Sequence, residues 1–301
     1  MPPFSRHGSE LDPPPDAVLD PCMDDPAAHR VREAMRRHDW TEVTAFFEAI
    51  TDPDDRAFHI GVCAGAPGVQ DWITEWCRAQ PAATLPMVIR GAHALSRNAP
   101  GLAEECLSAV VARDADDAVA WALLLGAARA GRLDAQEAKW RFERVVALHP
   151  GHLVAHAEML AYLGQQGGHD EALGFARDAV GGSPAGSPLG ILVANAHIGL
   201  WQSLPRAGRG PYMAEEAVRD DLLSAADHSI WHAAYQARPG WPVIHNAFAF
   251  AFVMAGELPA AVEMFELIGH RVTERPWAAY RSDPVAAFGE LRQWVVDWTD
   301  V

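Results

Sequence analysis

The sequence predicts an all-α fold: a superhelix of about seven stacked helical hairpins, closed by a C-terminal capping helix. Three observations predict it. From Ala27 onward, alanine, leucine and aromatic residues recur at steps of three and four, and no stretch alternates convincingly as a strand does. Breaks fall at Gly, Pro and Asp clusters, so the helices come in pairs. Small residues and prolines recur at one period: Pro150 and Pro184 lie 34 residues apart, and Gly91 and Gly126 lie 35 apart. A single hairpin is too thin to bury its apolar face, so hairpins of this kind stack.

Taken in order, residues 1–26 hold seven prolines and little apolar periodicity, which reads as a disordered tail. The solenoid is expected over 27–270. Its pairs are 28–38 with 39–51, 54–65 with 69–79, 82–97 with 101–113, 117–130 with 134–148, and 151–165 with 169–181. Residues 187–201 then precede a longer helix near 212–237, and 241–255 precede 258–270. Gly91 and Gly126, midway along first helices, are expected to let the paired helices of a hairpin approach closely. In second helices Ala103/Leu107/Val110, Ala138/Phe142/Val145, Ala172/Ala176/Ala179 and Ala261/Phe265/Ile268 repeat one apolar stripe. A cap is expected over 271–301. Asp283 suits an N-cap ahead of Pro284, and Phe288, Leu291, Val295 and Trp298 share a face. Trp277 and Tyr280 of "RPWAAY" are expected to pack beneath it.

With "AGELPAAVEMFELIG" (255–269) and "GGHDEALGFARDAVGGSP" (167–184) on the page, the chain resembles a degenerate tetratricopeptide repeat over residues 29–270. Gly256, Ala261 and Phe265 carry the likeness most clearly. The stretches "HPGHLVAHAEMLAYL", "SPAGSP" and "RPWAAY" also resemble a bacterial group of repeat-containing proteins without an assigned activity. The resemblance implies a fold and a shared pattern.

Composition narrows function. The net charge of −16 repels phosphate backbones and anionic lipid, which argues against nucleic-acid and membrane-surface partners. Cys22, Cys63, Cys77 and Cys106 form no CxxC pair, and the N-terminus has no basic start followed by an apolar run. Reduced thiols and a cytoplasmic location are expected, with Cys63, Cys77 and Cys106 as small core residues. No dinucleotide fingerprint, P-loop, nucleophile elbow or HExxH occurs, and no catalytic residue or cofactor is assigned. Trp72 with Trp76 reads as core.

Four groups remain as candidate sites. His152 and His156 project on one helical face, a spacing compatible with a metal and equally with a cap and a packed ring. Asp221, Ser224, His228 and His232 form a polar stripe; Asp221, His228 and His232 suit metal ligands, and a solvated face explains them as well. His156, His197 and His245 fall on successive first helices, with Asn195 and Asn246 beside them. They are expected to line a binding groove if they share a level. Arg206 and Arg209 in the loop "LPRAGRGPY" (204–212) suit a carboxylate or phosphate.

The expected function is non-catalytic: a scaffold that binds a protein or peptide, basic or neutral in charge, on the concave face of its first helices. The alternative is a small-molecule or metal-dependent enzyme or binding protein that uses the histidine groove and the 204–212 loop.

Overall fold

The structure is a computed structural model, and it describes residues 17–299. Among these residues it contains sixteen α-helices and two strands of two residues each. The all-α fold expected from the periodicity is what the chain adopts, with helices packed on helices. The chain divides into two compact units, residues 24–168 and residues 169–299 together with 17–23.

The first unit contains α1 (Pro26–Arg36), α2 (Trp40–Glu48), α3 (Pro53–Ala64), α4 (Val69–Ala79), α5 (Leu85–Ser96), α6 (Pro100–Val111), α7 (Ala118–Gly131), α8 (Ala135–Leu148) and α9 (Leu153–Gln165). Aspartates start five of these helices. Asp25, Asp39, Asp52, Asp117 and Asp134 each accept backbone N–H groups of the first turn, which stabilises each helix by about 1 kcal/mol. Part of the acidic character of this unit is therefore structural.

The turns repeat as well. A residue with positive φ sits between first and second helices at His38, Gly68, Asn98, Arg132 and Gly167, and at Gly256 in the other unit. Three of these six are glycine. The left-handed turn recurs where the sequence no longer marks it, at a cost of about 1 kcal/mol for a residue with a Cβ.

Inside this unit α3 packs against α5, α7 and α9, while α5 meets α7 and α7 meets α9. The first helices thus rest on one another, and Ile60, Val88, Ala122, Leu124 and Ala155 from all four are buried in one core. Gly91 touches its own hairpin partner: a Cβ there would lie 2.6 Å from the Leu107 side chain. Gly126 instead faces α9, where a Cβ would lie 3.3 Å from Glu158. On the other side Arg141 of α8 is buried, donating to both oxygens of Glu104 at 2.8 and 2.7 Å, to Glu137 at 2.6 Å and to the Leu124 carbonyl at 2.7 Å. One guanidinium so ties α6, α7 and α8. Burial alone would lower its pKa; Glu104 and Glu137 outweigh that and raise it.

The second unit contains α10 (His169–Gly181), a 3-10 turn at Pro188–Gly190, α11 (Ile191–Ser203), α12 (Arg206–Met213), α13 (Glu216–His228), α14 (Pro242–Ala255), α15 (Leu258–Ile268) and α16 (Pro284–Thr299). Two expectations are corrected here. Residues 204–212 are not a loop, because Arg206–Met213 is helical, with Pro211 inside it. The longer helix near 212–237 is α12 and α13, and α13 stops at His228. There the Gly186 N–H takes the His228 carbonyl at 2.7 Å, and the Ser229 hydroxyl donates to the Ser187 carbonyl at 2.6 Å. Gly190 permits this approach, since a Cβ on it would lie 2.5 Å from that of Ser229.

The expected tail is corrected in part. Residues 1–16 lie outside the described residues. Strand β1 (Val18–Leu19) pairs in parallel with β2 (Arg271–Val272), with Val18 opposite Arg271, and Cys22 is buried. The cap forms as anticipated: Asp283 accepts the N–H groups of Val285 and Ala286 at 3.0 and 3.1 Å. Trp277 is buried against Phe250, Phe265 and Phe288. Trp294 stays exposed, and so does Tyr280, which was expected beneath the cap; its hydroxyl donates to Glu290. No described helix is long and apolar enough to cross a membrane.

Candidate functional site

Two histidine–aspartate clusters stand out, one in each unit. The first to build is around His197 on α11, which is buried among four helices. Its Nε2 lies 3.2 Å from Asp221 Oδ2 of α13, and its Nδ1 lies 2.6 Å from the Tyr212 hydroxyl of α12. An ionised carboxylate only accepts, so Nε2 carries the hydrogen. In the neutral ring Nδ1 is then the acceptor, and the Tyr212 hydroxyl donates to it. Arg177 of α10 donates to the same Asp221 oxygen through both Nε and Nη2. Burial holds the His197 pKa below the ordinary histidine range, opposed by the Asp221 charge. Burial, together with the nearby carboxylates Glu215 and Asp221, pushes the Tyr212 phenol up to about 12. The phenol therefore keeps its proton at neutral pH. The line Asp221–His197–Tyr212 is arranged as a proton relay would be, and it also clamps α10, α11, α12 and α13 together.

The second cluster lies where the start of α3 meets the start of α9. His152 is the N-cap of α9: its Nδ1 accepts the Ala155 N–H at 3.4 Å. His156, one turn on, turns its Nδ1 to the His152 carbonyl at 2.9 Å and packs edge-on to Phe142. These two histidines therefore do not face a common ion. The partner of His152 comes from far away in sequence. Asp54 Oδ1 accepts the Leu153 N–H at 2.8 Å and lies 3.3 Å from His152 Nδ1. Its Oδ2 lies 3.4 Å from His149 Nε2. Asp52, the N-cap of α3, stands beside it, and ligand atoms of Asp52, Asp54 and His149 all fall within 4.8 Å of one another. Burial pushes the Asp54 carboxyl up and the His152 ring down to about 4. His152 is 0% exposed, and its Nε2 has no hydrogen-bond partner.

The remaining candidates are spread through the fold. His245 is buried on α14, with Nδ1 on the Trp241 carbonyl at 3.1 Å and its ring edge-on to Trp241 and Tyr235. Asn246 is fully buried. It donates to the Pro242 and Arg271 carbonyls at 2.8 and 2.9 Å and accepts from Trp277 Nε1 at 2.6 Å, so it holds β2 and the Trp277 turn to α14. Asn195 is half-buried on α11. His228 ends α13 with Nε2 3.1 Å from the Ser183 carbonyl, whereas His232 is exposed beyond the helix, accepting the Ala234 N–H. The helical stripe of Asp221, His228 and His232 is therefore broken: Asp221 serves His197. Arg209 donates to the Leu204 and Gln202 carbonyls at 3.1 and 3.0 Å and lies over the Trp201 ring, which caps the end of α11; Arg206 is exposed. Trp72 and Trp76 are stacked in the core. Cys63 and Cys106 are buried, and Cys77 is half-buried.

Sequence reasoning missed Tyr212 and Arg177 as partners of His197, and Asp52, Asp54 and His149 as companions of His152. Tyr212 closes the quoted "LPRAGRGPY", and Asp54 lies in a stretch that also suits a helix start. Chain separation of about a hundred residues hid the pairing. Comparison with protein-family models gives no match, and neither does comparison with curated proteins.

Proposed function

We propose that this chain is a non-catalytic, tetratricopeptide-like scaffold that binds a protein or peptide of basic or neutral character in a cytoplasm. The observation that carries the reading is Trp140. It stands on α8, a second helix, and is 46% exposed with its ring edge-on to Trp121 at 5.2 Å. Arg144, one turn along, lies over the Trp121 ring at 5.6 Å. Tryptophan and arginine are the side chains that most often dominate binding energy at interfaces. A half-exposed indole on a rigid helix offers apolar area at little entropic cost. The polar residues of the first helices support the same shift of face, because His156 and Asn246 spend their hydrogen bonds within their own units. The net charge of −16 favours a basic or neutral partner.

The test is capture by the immobilised full chain against its Trp140→Ala variant. A partner retained by the wild type is expected to lose roughly thirtyfold in affinity, the consequence of removing a hot-spot side chain, while the thermal midpoint moves by only a few degrees. Equal retention by both proteins would remove this face from the proposal.

A further inference from the structure

We infer that Asp52, Asp54 and His149 form a binding site for a divalent transition-metal ion of the zinc type. The donors come from two segments: Asp52 and Asp54 from the start of α3, and His149 from the turn ahead of α9. All three are half-buried, so an ion can reach them and still be partly shielded from water. Two ligand atoms on a tetrahedral zinc, each at about 2.0–2.1 Å, are about 3.3–3.4 Å apart. Asp54 Oδ2 and His149 Nε2 are 3.4 Å apart. The Asp52 carboxylate lies within 4.8 Å of both and adds a second oxygen donor to the pair. Open positions then remain for water. An imidazole in the set favours zinc and its neighbours over calcium or magnesium, which take oxygen donors.

The surroundings orient these groups as outer-shell partners of a metal do. The second oxygen of Asp54 is fixed by the Leu153 N–H at 2.8 Å, which leaves Oδ2 toward His149. Asp52 Oδ1 is anchored by the N–H groups of Asp54 and Asp55 at 2.9 and 3.2 Å. His152 orders the other side of the same carboxylate: it is completely buried, and its Nδ1 lies 3.3 Å from Asp54 Oδ1, which leaves Oδ2 turned toward His149. In an acidic chain the surrounding field adds to the attraction for a cation.

The test uses the full chain made without a histidine tag, stripped with a chelator and dialysed against zinc. Elemental analysis is expected to find one zinc per chain, and competition with a chromophoric chelator gives its affinity. His149→Ala and Asp52→Asn are each expected to weaken binding by about 10–100-fold or more, and His232→Ala, on an exposed turn, is expected to leave it unchanged. Circular dichroism of the metal-free variants separates loss of the site from loss of the fold, and Asp52→Asn serves if His149→Ala does not fold. Absence of zinc at tenfold excess overturns the inference. So does a stoichiometry that His149→Ala and Asp52→Asn leave intact, since zinc would then sit on unrelated surface histidines.

Discussion

The two histidine–aspartate clusters use the same residue types to different ends. At His197 both ring nitrogens are answered. Tyr212 donates to one ring nitrogen, Asp221 accepts from the other, and Arg177 neutralises the carboxylate. At His152 the aspartate faces two imidazoles and a second aspartate, and one ring nitrogen is buried without a partner. A closed network of charge and hydrogen bonds is a structural clamp. Two half-buried carboxylates beside an imidazole are a place for a cation. The comparison teaches that a histidine's neighbours, more than its spacing along a helix, decide whether it holds the fold or is left for a ligand.

The comparison can be broken at its stronger end first. His197→Ala removes a buried ring and strands Tyr212 and Asp221, so a loss of about 3 kcal/mol in urea unfolding is expected. Asp54→Ala, in chelator-treated protein, removes a helix cap and leaves the His149 and His152 rings without their carboxylate. About 1–2 kcal/mol is expected, and a loss larger than that of His197→Ala would reverse the assignment of clamp and site.

The smallest effect is pH dependence. His197 faces Asp221, Tyr212 and, through Asp221, Arg177, and burial holds its pKa below the ordinary value. The unfolded ring takes a proton near about 6.5; the folded ring takes it only at lower pH. Below that value the unfolded state binds more protons, so this contribution is complete above about 6.5 and is lost as pH falls. Thermal midpoints at pH 7.5 and 5.5 are expected to fall further for the wild type than for His197→Gln. Parallel curves would show that His197 does not titrate in this way.

Much of the fold was legible in the sequence. Asp283 ahead of Pro284, the Phe288–Leu291–Val295 face, Gly91 against its hairpin partner and the bounds of α4 and α10 follow from local pattern. The failures were also physical. The turn residue Arg132 takes a left-handed conformation that its type does not announce. Residues 204–212 were expected to form a loop, yet α12 takes in most of them, Pro211 included. Val18–Leu19 gain a strand partner more than two hundred and fifty positions away. Of the candidate sites, His197, Asp221 and the 204–212 segment were each noticed and none was joined to the others.

The sequence by itself determined most of the helical residues, where most helices start and which face of each is apolar. These depend on neighbours within four positions, through backbone hydrogen bonds and the 3.6-residue turn. Only the tertiary structure decided what the polar residues on those helices do. Whether Asn246 binds a ligand or secures β2, and whether Asp54 merely starts α3 or also caps α9 and faces His149, depends on which helices meet. That choice is made by packing of whole apolar faces, a property of many residues at once that no local spacing encodes.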